Sequence, residues 1–155
     1  MYGVSSILTL EDVALISFMK LPHDLSLLND IFGSVSKEGV SIDMVSQTSP
    51  LSGNISVSFS FQEDDMVKVL TVVNMLKEKH PDMKPVVSSG NTKLTLSGEE
   101  MRTTPGVFAR AISSLAKISA ELLAVTTSET EVSLLIPSAH ADDAREALEK
   151  GFGLS

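Results

Sequence analysis

The stretch Ala14-Leu15-Ile16-Ser17 corresponds to Leu94-Thr95-Leu96-Ser97 at an offset of eighty residues. The correspondence continues without a gap through the helix pattern and the strand that follow. Leu28, Ile31, Phe32 and Val35 correspond to Phe108, Ala111, Ile112 and Leu115, and Val40, Ile42, Met44 and Val45 correspond to Ala120, Leu122, Ala124 and Val125. A repeat of this length predicts that one small fold is used twice.

Composition excludes several classes of protein. The chain has 155 residues, with 12 Lys and Arg, 20 Asp and Glu, no Cys and a formal net charge of -8. Nucleic acid is not expected as a partner, because phosphate binding requires clustered cations. The absence of Cys excludes disulfides and thiolate metal sites. No apolar run suits a membrane span and no signal sequence is seen at the start, so we expect a soluble, cytoplasmic protein with no membrane contact.

The order of predicted elements in the first copy is strand, helix, strand, strand, helix, strand. This pattern predicts an α+β fold in which each copy forms a four-stranded antiparallel sheet with both helices on one face. In the first copy, strands are predicted at 13–19, 40–47, 55–61 and 86–88, one helix begins near Asp24, and a second has the apolar stripe Met66, Val69, Leu70 and Val73. In the second copy, a strand from Lys93, strands at 121–127 and 131–136, and helices at 107–118 and 141–150 are predicted.

The β-prone segment from Tyr2 to Leu10 has no counterpart in this scheme, whereas the second copy has little room for a fourth strand after its last helix. We therefore expect this segment to complete the second sheet, so that the first module is inserted within the second. The expected boundaries are 10–91 for the first module and 92–155, completed by 1–9, for the second.

Motifs in both copies carry a family resemblance. The first copy contains Val40-Ser41-Ile42-Asp43-Met44-Val45-Ser46-Gln47 and then Asn54-Ile55-Ser56-Val57-Ser58-Phe59. The second contains Met101-Arg102-Thr103-Thr104-Pro105-Gly106-Val107-Phe108-Ala109-Arg110 and then Thr126-Thr127-Ser128-Glu129-Thr130-Glu131-Val132-Ser133. In order and spacing they resemble the tandem ACT regulatory region of aspartokinases, either the C-terminal part of the enzyme or a separate regulatory beta subunit. The resemblance covers essentially the whole chain and implies two ferredoxin-like ACT modules.

The resemblance also implies a site for an amino-acid effector, lysine or threonine. A helix N-terminus suits the effector's carboxylate, Asp24 or Asp43 suits its ammonium group, and Gln47 suits its side chain. Each has a structural alternative: Asp24 as a helix cap, Asp43 as a solvent-facing or partner-facing residue, and Gln47 as an ordinary strand end. The residues that match by position are Asp24, Leu27, Leu28, Ser41, Ile42, Asp43 and Gln47, with Glu121 and Leu122 of the other module approaching the same pocket.

Catalytic patterns are not found in the sequence. His23, His80 and His140 lack metal-ligand spacing, and no phosphate-binding glycine loop or nucleophile elbow is present. The paired acids Asp64-Asp65 and Asp142-Asp143 suit helix starts, where negative charge is stabilised by the helix dipole. We therefore expect no catalytic residue, no metal and no cofactor in this chain.

The resemblance implies an amino-acid-sensing regulator that acts on an aspartokinase catalytic domain or subunit and forms a homodimer through its ACT modules. An apolar second face supports the dimer, because Leu123, Val125 and Leu135 are predicted opposite the helix-facing Leu122, Ala124 and Leu134. Two alternatives stay open. One is a ligand-free structural dimerisation module, consistent with Leu25-Ser26 where the family usually has Pro-Gly; the other is a stand-alone double-ACT regulator.

Overall fold

The computed structural model describes residues 2–154. Hydrogen bonds connect its strands in the order β2-β3-β1-β4-β6-β5, and two pairs of helices accompany them, which confirms the predicted α+β class. The elements are β1 (Ser6–Pro22), α1 (Leu25–Lys37), β2 (Val45–Gln47), β3 (Asn54–Gln62), α2 (Met66–Lys79), β4 (Lys84–Ser97), α3 (Val107–Ala116), β5 (Ala124–Thr127), β6 (Glu131–Pro137) and α4 (Ala141–Gly151).

The chain divides into two compact units. The first unit is Asp12–Ser89, and the second unit is Met1–Glu11 together with Gly90–Ser155. Strands β1 and β4 contribute residues to both units. Each strand has a residue with positive φ where one unit ends and the other begins. This residue is Asp12 in β1, with φ 58°, and Gly90 in β4, with φ 73°.

The continuity of β1 and β4 corrects the predicted strand ends. The sequence pattern separated 2–10 from 13–19 and 86–88 from the strand at Lys93. In the structure, 6–10 belong to the same strand as 13–19, and 86–88 belong to the same strand as Lys93. Polar residues, Glu11-Asp12 in β1 and Ser88-Ser89 in β4, interrupt the apolar pattern at these points. They do not interrupt the strand, because backbone pairing does not depend on side-chain polarity.

The core of the first unit lies between its strands and both of its helices. Alternate residues of a strand share one face, and every second residue of β1 and β3 faces α1 and α2. Strand residues in this core are Ala14, Ile16, Phe18, Leu21, Ile55, Val57, Phe59 and Phe61, and helix residues are Leu27, Leu28, Ile31, Val35, Val69, Val72, Val73 and Leu76. Both helices therefore cover the same face, as predicted.

Helix α2 presents a slightly different face from the predicted one. Leu70 was expected in the core but is 39% exposed, whereas Val72 and Leu76 are buried. A helix advances about 100° per residue, so Leu70 is turned well away from Val69. The buried face is centred between Val69, Val73 and Leu76 instead.

Strand β2 is shorter than the predicted strand at 40–47. The Asp43 N–H donates to the Ser60 carbonyl at 3.0 Å, and the Ser60 N–H donates to the Met44 carbonyl at 2.9 Å. The Met44 N–H donates to Ser60 Oγ at 2.9 Å instead of to a main-chain carbonyl. Two residues thus face Ser60, which is the arrangement of a β-bulge. Regular pairing starts only at Val45, opposite Phe59.

The second unit repeats this irregularity. The Leu123 N–H donates to the Leu135 carbonyl at 2.8 Å, and regular pairing then joins Ala124 to Leu135 and Val125 to Leu134. Directly paired residues share a face, so Val125 lies with the helix-facing Leu134 and packs against the core. The prediction that Ala124 faces the helices and that Val125 faces away from them is therefore wrong. The irregularity shifts the alternation of the two faces by one residue.

The apolar face from which a dimer was predicted is not exposed at Leu135. This side chain is fully buried within the single chain, although it faces away from α3 and α4. Apolar residues on both sides of β6 are thus buried, as predicted. Leu135 therefore offers no exposed apolar surface for a dimer contact, and the predicted dimer has to be argued from another observation.

The N-terminal segment packs into the core of the second unit. Val4 and Ile7 are buried with residues of β4, β6, α3 and α4. The Ser5 N–H donates to the Ser97 carbonyl at 2.8 Å. Arg145 Nη2 donates to the Ile7 carbonyl at 2.9 Å. A Cβ at Gly98 would lie 2.0 Å from the Gly3 carbonyl oxygen, so only glycine allows this close approach.

Candidate functional site

Asp24 lies at the beginning of α1 and caps the helix. Its backbone is extended, with φ -140°, and its carboxylate accepts a hydrogen bond from the Ser26 N–H at 2.8 Å. This is the usual role of Asp at an N-cap, where its side chain accepts from one of the first-turn N–H groups that have no helical partner. The side chain is exposed, so the carboxylate is also open to solvent.

Gln47 ends β2 at the same end of the first unit. The His23 N–H, next to Asp24, donates to the Gly53 carbonyl in the loop after β2 at 2.9 Å. Gln47 pairs with Val57, three residues along β3 from Asn54, which pairs with Pro22. At about 3.3 Å per residue this separation is roughly 10 Å.

Asp43 lies farther from that end. Its N–H donates to the carbonyl of Ser60, six residues along β3 from Asn54, which corresponds to roughly 20 Å. Ser41 and Asp43 are exposed, while Ile42 packs against the core. Within the first unit, the structure thus brings Asp24 and Gln47 to one end and leaves Ser41, Ile42 and Asp43 toward the other.

The remaining predicted residues have different environments. Leu27 and Leu28 are 5% and 8% exposed and belong to the core beneath the first turn of α1. Glu121 and Leu122 belong to the second unit, where Glu121 is exposed and Leu122 packs against that unit's core.

The second unit contains a cleft of about 480 Å³ between the beginning of α3 and the β5–β6 hairpin. Its lining includes a charged pair, Arg102 and Glu129, whose side chains are in contact. Arg102 Nε also donates to Glu99 Oε2 at 3.0 Å. The apolar part of the lining is formed by Met101, Val107, Phe108 and Val132.

The eighty-residue repeat relates this cleft to the predicted site of the first module. Val107, Phe108 and Thr127 line the cleft and correspond to Leu27, Leu28 and Gln47. The signal was therefore present in the sequence. The Ser128-Glu129 motif also suits a hairpin turn between two strands. Ser128 does have that role, since its Oγ accepts a hydrogen bond from the Glu131 N–H at 3.1 Å.

A second groove, of about 620 Å³, lies between α3 and α4. The Arg110 guanidinium stacks on the Tyr2 ring, 3.6 Å from its centroid, and Nη1 donates to the Gly151 carbonyl at 3.1 Å. Stacking of a guanidinium on an aromatic ring is a favourable cation–π contact. Sequence reasoning did not identify this groove, because no local pattern places Tyr2 beside Arg110.

Within residues 2–154, no group of three or more His, Asp or Glu side chains is placed to hold a metal ion. Every helix in this part of the chain is too short or too polar to cross a bilayer.

The fold and the repeated site define a class of protein. Residues 94–152, most of the second unit, match the sequence model of the ACT domain family. The first unit repeats the same order of strands and helices, so the architecture of the matched region occurs twice in the chain.

Similar sequences and solved structures indicate which proteins with this fold the chain resembles. Over 94% of its length the chain is 28% identical to the aspartokinase of Geobacillus stearothermophilus and 26% identical to that of Bacillus sp. strain MGA3, and it spans 35% of the length of each. Its fold is similar to the ligand-free regulatory subunit of aspartate kinase from Thermus thermophilus, with a TM-score of 0.87 and 21% identity over 97% of this chain and 99% of that one. Over almost its whole length the chain is therefore similar to part of the aspartokinases, and this similarity confirms the predicted resemblance.

Proposed function

We propose that this chain senses an amino acid, lysine or threonine, and regulates an aspartokinase catalytic domain or subunit by feedback. The observation that carries the proposal is the similarity to aspartokinases along 94% of the chain, combined with coverage of only 35% of their length. The matched part is the ACT region, in which regulation and not phosphoryl transfer is the expected task.

The end of the first unit that carries Asp24 and Gln47 suits such an effector. The first turn of α1 presents N–H groups and the positive end of the helix dipole to a carboxylate. The exposed carboxylate of Asp24 suits an ammonium group, and Gln47 supplies an amide for a polar side chain. An effector bound here contacts the loop before α1 and the end of β2 together.

Effector binding regulates a partner only if it favours one arrangement of the protein over another. We propose that the regulatory region forms a homodimer through its ACT modules and that the effector biases this assembly. Coupling free energies between two sites are typically about 1–3 kcal/mol, which changes an equilibrium by roughly 5- to 150-fold. A change of this size is enough for feedback control.

A calorimetric titration of the chain with lysine, threonine and other amino acids tests the proposal. We expect saturable binding of lysine or threonine that is lost in Asp24→Asn. Asparagine retains the helix cap but removes the charge that pairs with ammonium. Asp30→Asn is the matched control, because Asp30 is an exposed acid on the same helix. Asp43→Ala reports separately on the segment before β2.

The ligand-free dimerisation module is the alternative favoured by one observation. Leu25 and Ser26 replace the Pro-Gly pair usual in the family, and Leu25 is 75% exposed at the entrance to α1. A titration without heat for any amino acid, together with a dimer in sedimentation analysis, would favour this alternative. Binding that Asp24→Asn leaves unchanged would instead place the effector elsewhere.

A further inference from the structure

The groove between α3 and α4 has the lining of a small-molecule site. We propose that it binds a phosphate monoester of a sugar, either a nucleotide or a sugar phosphate. The groove of about 620 Å³ adjoins a hollow of about 470 Å³ beside α3, and both volumes lie within the range usual for ligand pockets. The residues shared by groove and hollow are Tyr2, Arg110, Ser114, Lys117 and Gly151. All of them belong to the second unit, whereas the effector site proposed above lies in the first.

The hollow supplies the charges and donors that a phosphate group needs. Arg110, Ser113 and Lys117 follow one another at intervals of three and four residues, so they share one face of α3. Among the described residues, the lining of the hollow includes no carboxylate. Guanidinium, ammonium and hydroxyl groups all donate hydrogen bonds to phosphate oxygens, and two cations on one face suit a dianion.

The guanidinium of Arg110 is held in place before a ligand binds. It lies 3.6 Å from the centroid of the Tyr2 ring, and Nη1 donates to the Gly151 carbonyl at 3.1 Å. A guanidinium carries several N–H donors, so most of them stay available to a ligand. A side chain that is already fixed loses less conformational entropy when it binds. Lys117 is exposed, so its ammonium group is accessible as well.

The α4 side of the groove suits the sugar part of such a ligand. Asp143 and Glu146 are exposed and lie one turn apart on this helix, and both line the groove. Carboxylates accept hydrogen bonds from hydroxyl groups, including those of ribose. Lys150 lies one turn farther along and offsets part of their negative charge. Ile118 adds apolar surface, and Tyr2 is 54% exposed, so its ring is accessible to a flat or apolar group.

The first copy of the repeat lacks these cation and hydroxyl positions. Arg110 corresponds to Asp30 at the offset of eighty residues, and Ser113 corresponds to Gly33. A carboxylate at the first of these positions repels a phosphate, and glycine at the second offers no hydroxyl. The fold common to both copies therefore does not require this lining, which leaves ligand binding as its function in the second unit.

Calorimetric titration of the full chain with AMP, ribose-5-phosphate, adenosine and inorganic phosphate tests this inference. We expect saturable binding of AMP or ribose-5-phosphate, with affinity reduced about tenfold or more in Lys117→Gln. Adenosine lacks the phosphate and should not bind, and inorganic phosphate lacks the sugar and should bind more weakly. Binding of AMP alone would identify a nucleotide site, and binding of ribose-5-phosphate would identify a sugar phosphate site.

Lys77→Gln is the matched control, because Lys77 is an exposed lysine on α2 in the first unit and should not affect ester binding. The inference would be overturned by no saturable binding of either ester, by inorganic phosphate or adenosine binding as tightly as the esters, or by equal losses in Lys77→Gln and Lys117→Gln. Lys117→Gln should leave lysine or threonine binding unchanged, so either proposal can fail without the other. Melting temperatures of both variants confirm that each is folded.

Discussion

Ser60 satisfies a buried N–H group that regular strand pairing leaves without a main-chain partner. The residue is fully buried on β3, and its Oγ accepts the Met44 N–H at 2.9 Å. Met44 is itself 4% exposed, so its N–H is not readily solvated by water. Buried N–H groups in folded proteins are nearly always hydrogen-bonded. The Ser60 hydroxyl therefore supplies the hydrogen-bond acceptor that the bulge before β2 would otherwise lack.

At the residue scale we predict that Ser60→Ala destabilises the first unit. Removing the hydroxyl leaves the Met44 N–H without its acceptor, which typically costs about 1–3 kcal/mol. Urea unfolding measures the loss, and faster hydrogen exchange of the Met44 amide locates it. Ser56→Ala is the control on the same strand, because Ser56 is only half-buried, and its effect should stay within about 0.5 kcal/mol. Equal losses in the two variants would contradict the role given to the hydroxyl.

At the scale of elements, α1 and α3 occupy equivalent positions in the repeat but do not bury equivalent faces. Helix α1 buries Leu27, Leu28, Ile31 and Val35, whereas α3 buries Val107, Ala111, Ser114 and Leu115. Where α1 buries Leu28, α3 leaves the corresponding Phe108 partly exposed and buries Ser114 instead. Ser114 packs against α4 because residue 151 there is glycine, since a Cβ at this position would lie 2.0 Å from Ser114 Oγ. Close packing of α3 on α4 thus accompanies the exposure of Phe108.

Consequently, Leu28→Ala should destabilise the protein more than Phe108→Ala, although phenylalanine is the larger side chain. Leu28 lies in a filled core, where truncation to alanine costs about 2–5 kcal/mol. Phe108 already contacts solvent, so we expect a loss of roughly 1–2 kcal/mol. Urea unfolding of both variants gives the order. The reverse order would show that Phe108 is part of the core.

At the scale of the whole molecule, the N-terminal segment packs as part of the second unit. Val4 and Ile7 are buried in the core of the second unit, and Arg145 binds the carbonyl of Ile7. We propose that residues 1–9 complete the second module and that the first module is inserted within it. Folding of the second module then requires two segments that are distant in sequence.

Deletion of residues 1–9 should therefore destabilise the second unit selectively. Loss of two buried aliphatic side chains corresponds to roughly 3–6 kcal/mol. Hydrogen exchange should accelerate in α3 and α4, with α1 and α2 less affected. Leu8→Ala provides a control in the same segment, because Leu8 is exposed. If the second unit of the truncated chain unfolds no more readily than that of the intact chain, the insertion is wrong.

Much of the fold and part of the candidate site were predictable from local patterns. The strand around Ile55 to Phe61 and the cap at Asp24 follow from period and residue type, and both are present. The separation of Asp24 from Asp43 was not predictable, because it depends on which residues of β3 lie opposite β2. The predicted roles of Asp24, Asp43 and Gln47 in effector binding stay predictions.

The sequence by itself determined the repeat and the order of the elements and carried the family resemblance, because periodicity and motifs are properties of the chain read locally. Only the tertiary structure decided that Val125 faces the helices, that Leu135 is already buried and that Phe108 lines an open cleft. Each of these depends on strand register or helix rotation. Both are set by contacts between residues far apart in sequence, where a shift of one position exchanges the two faces of a strand.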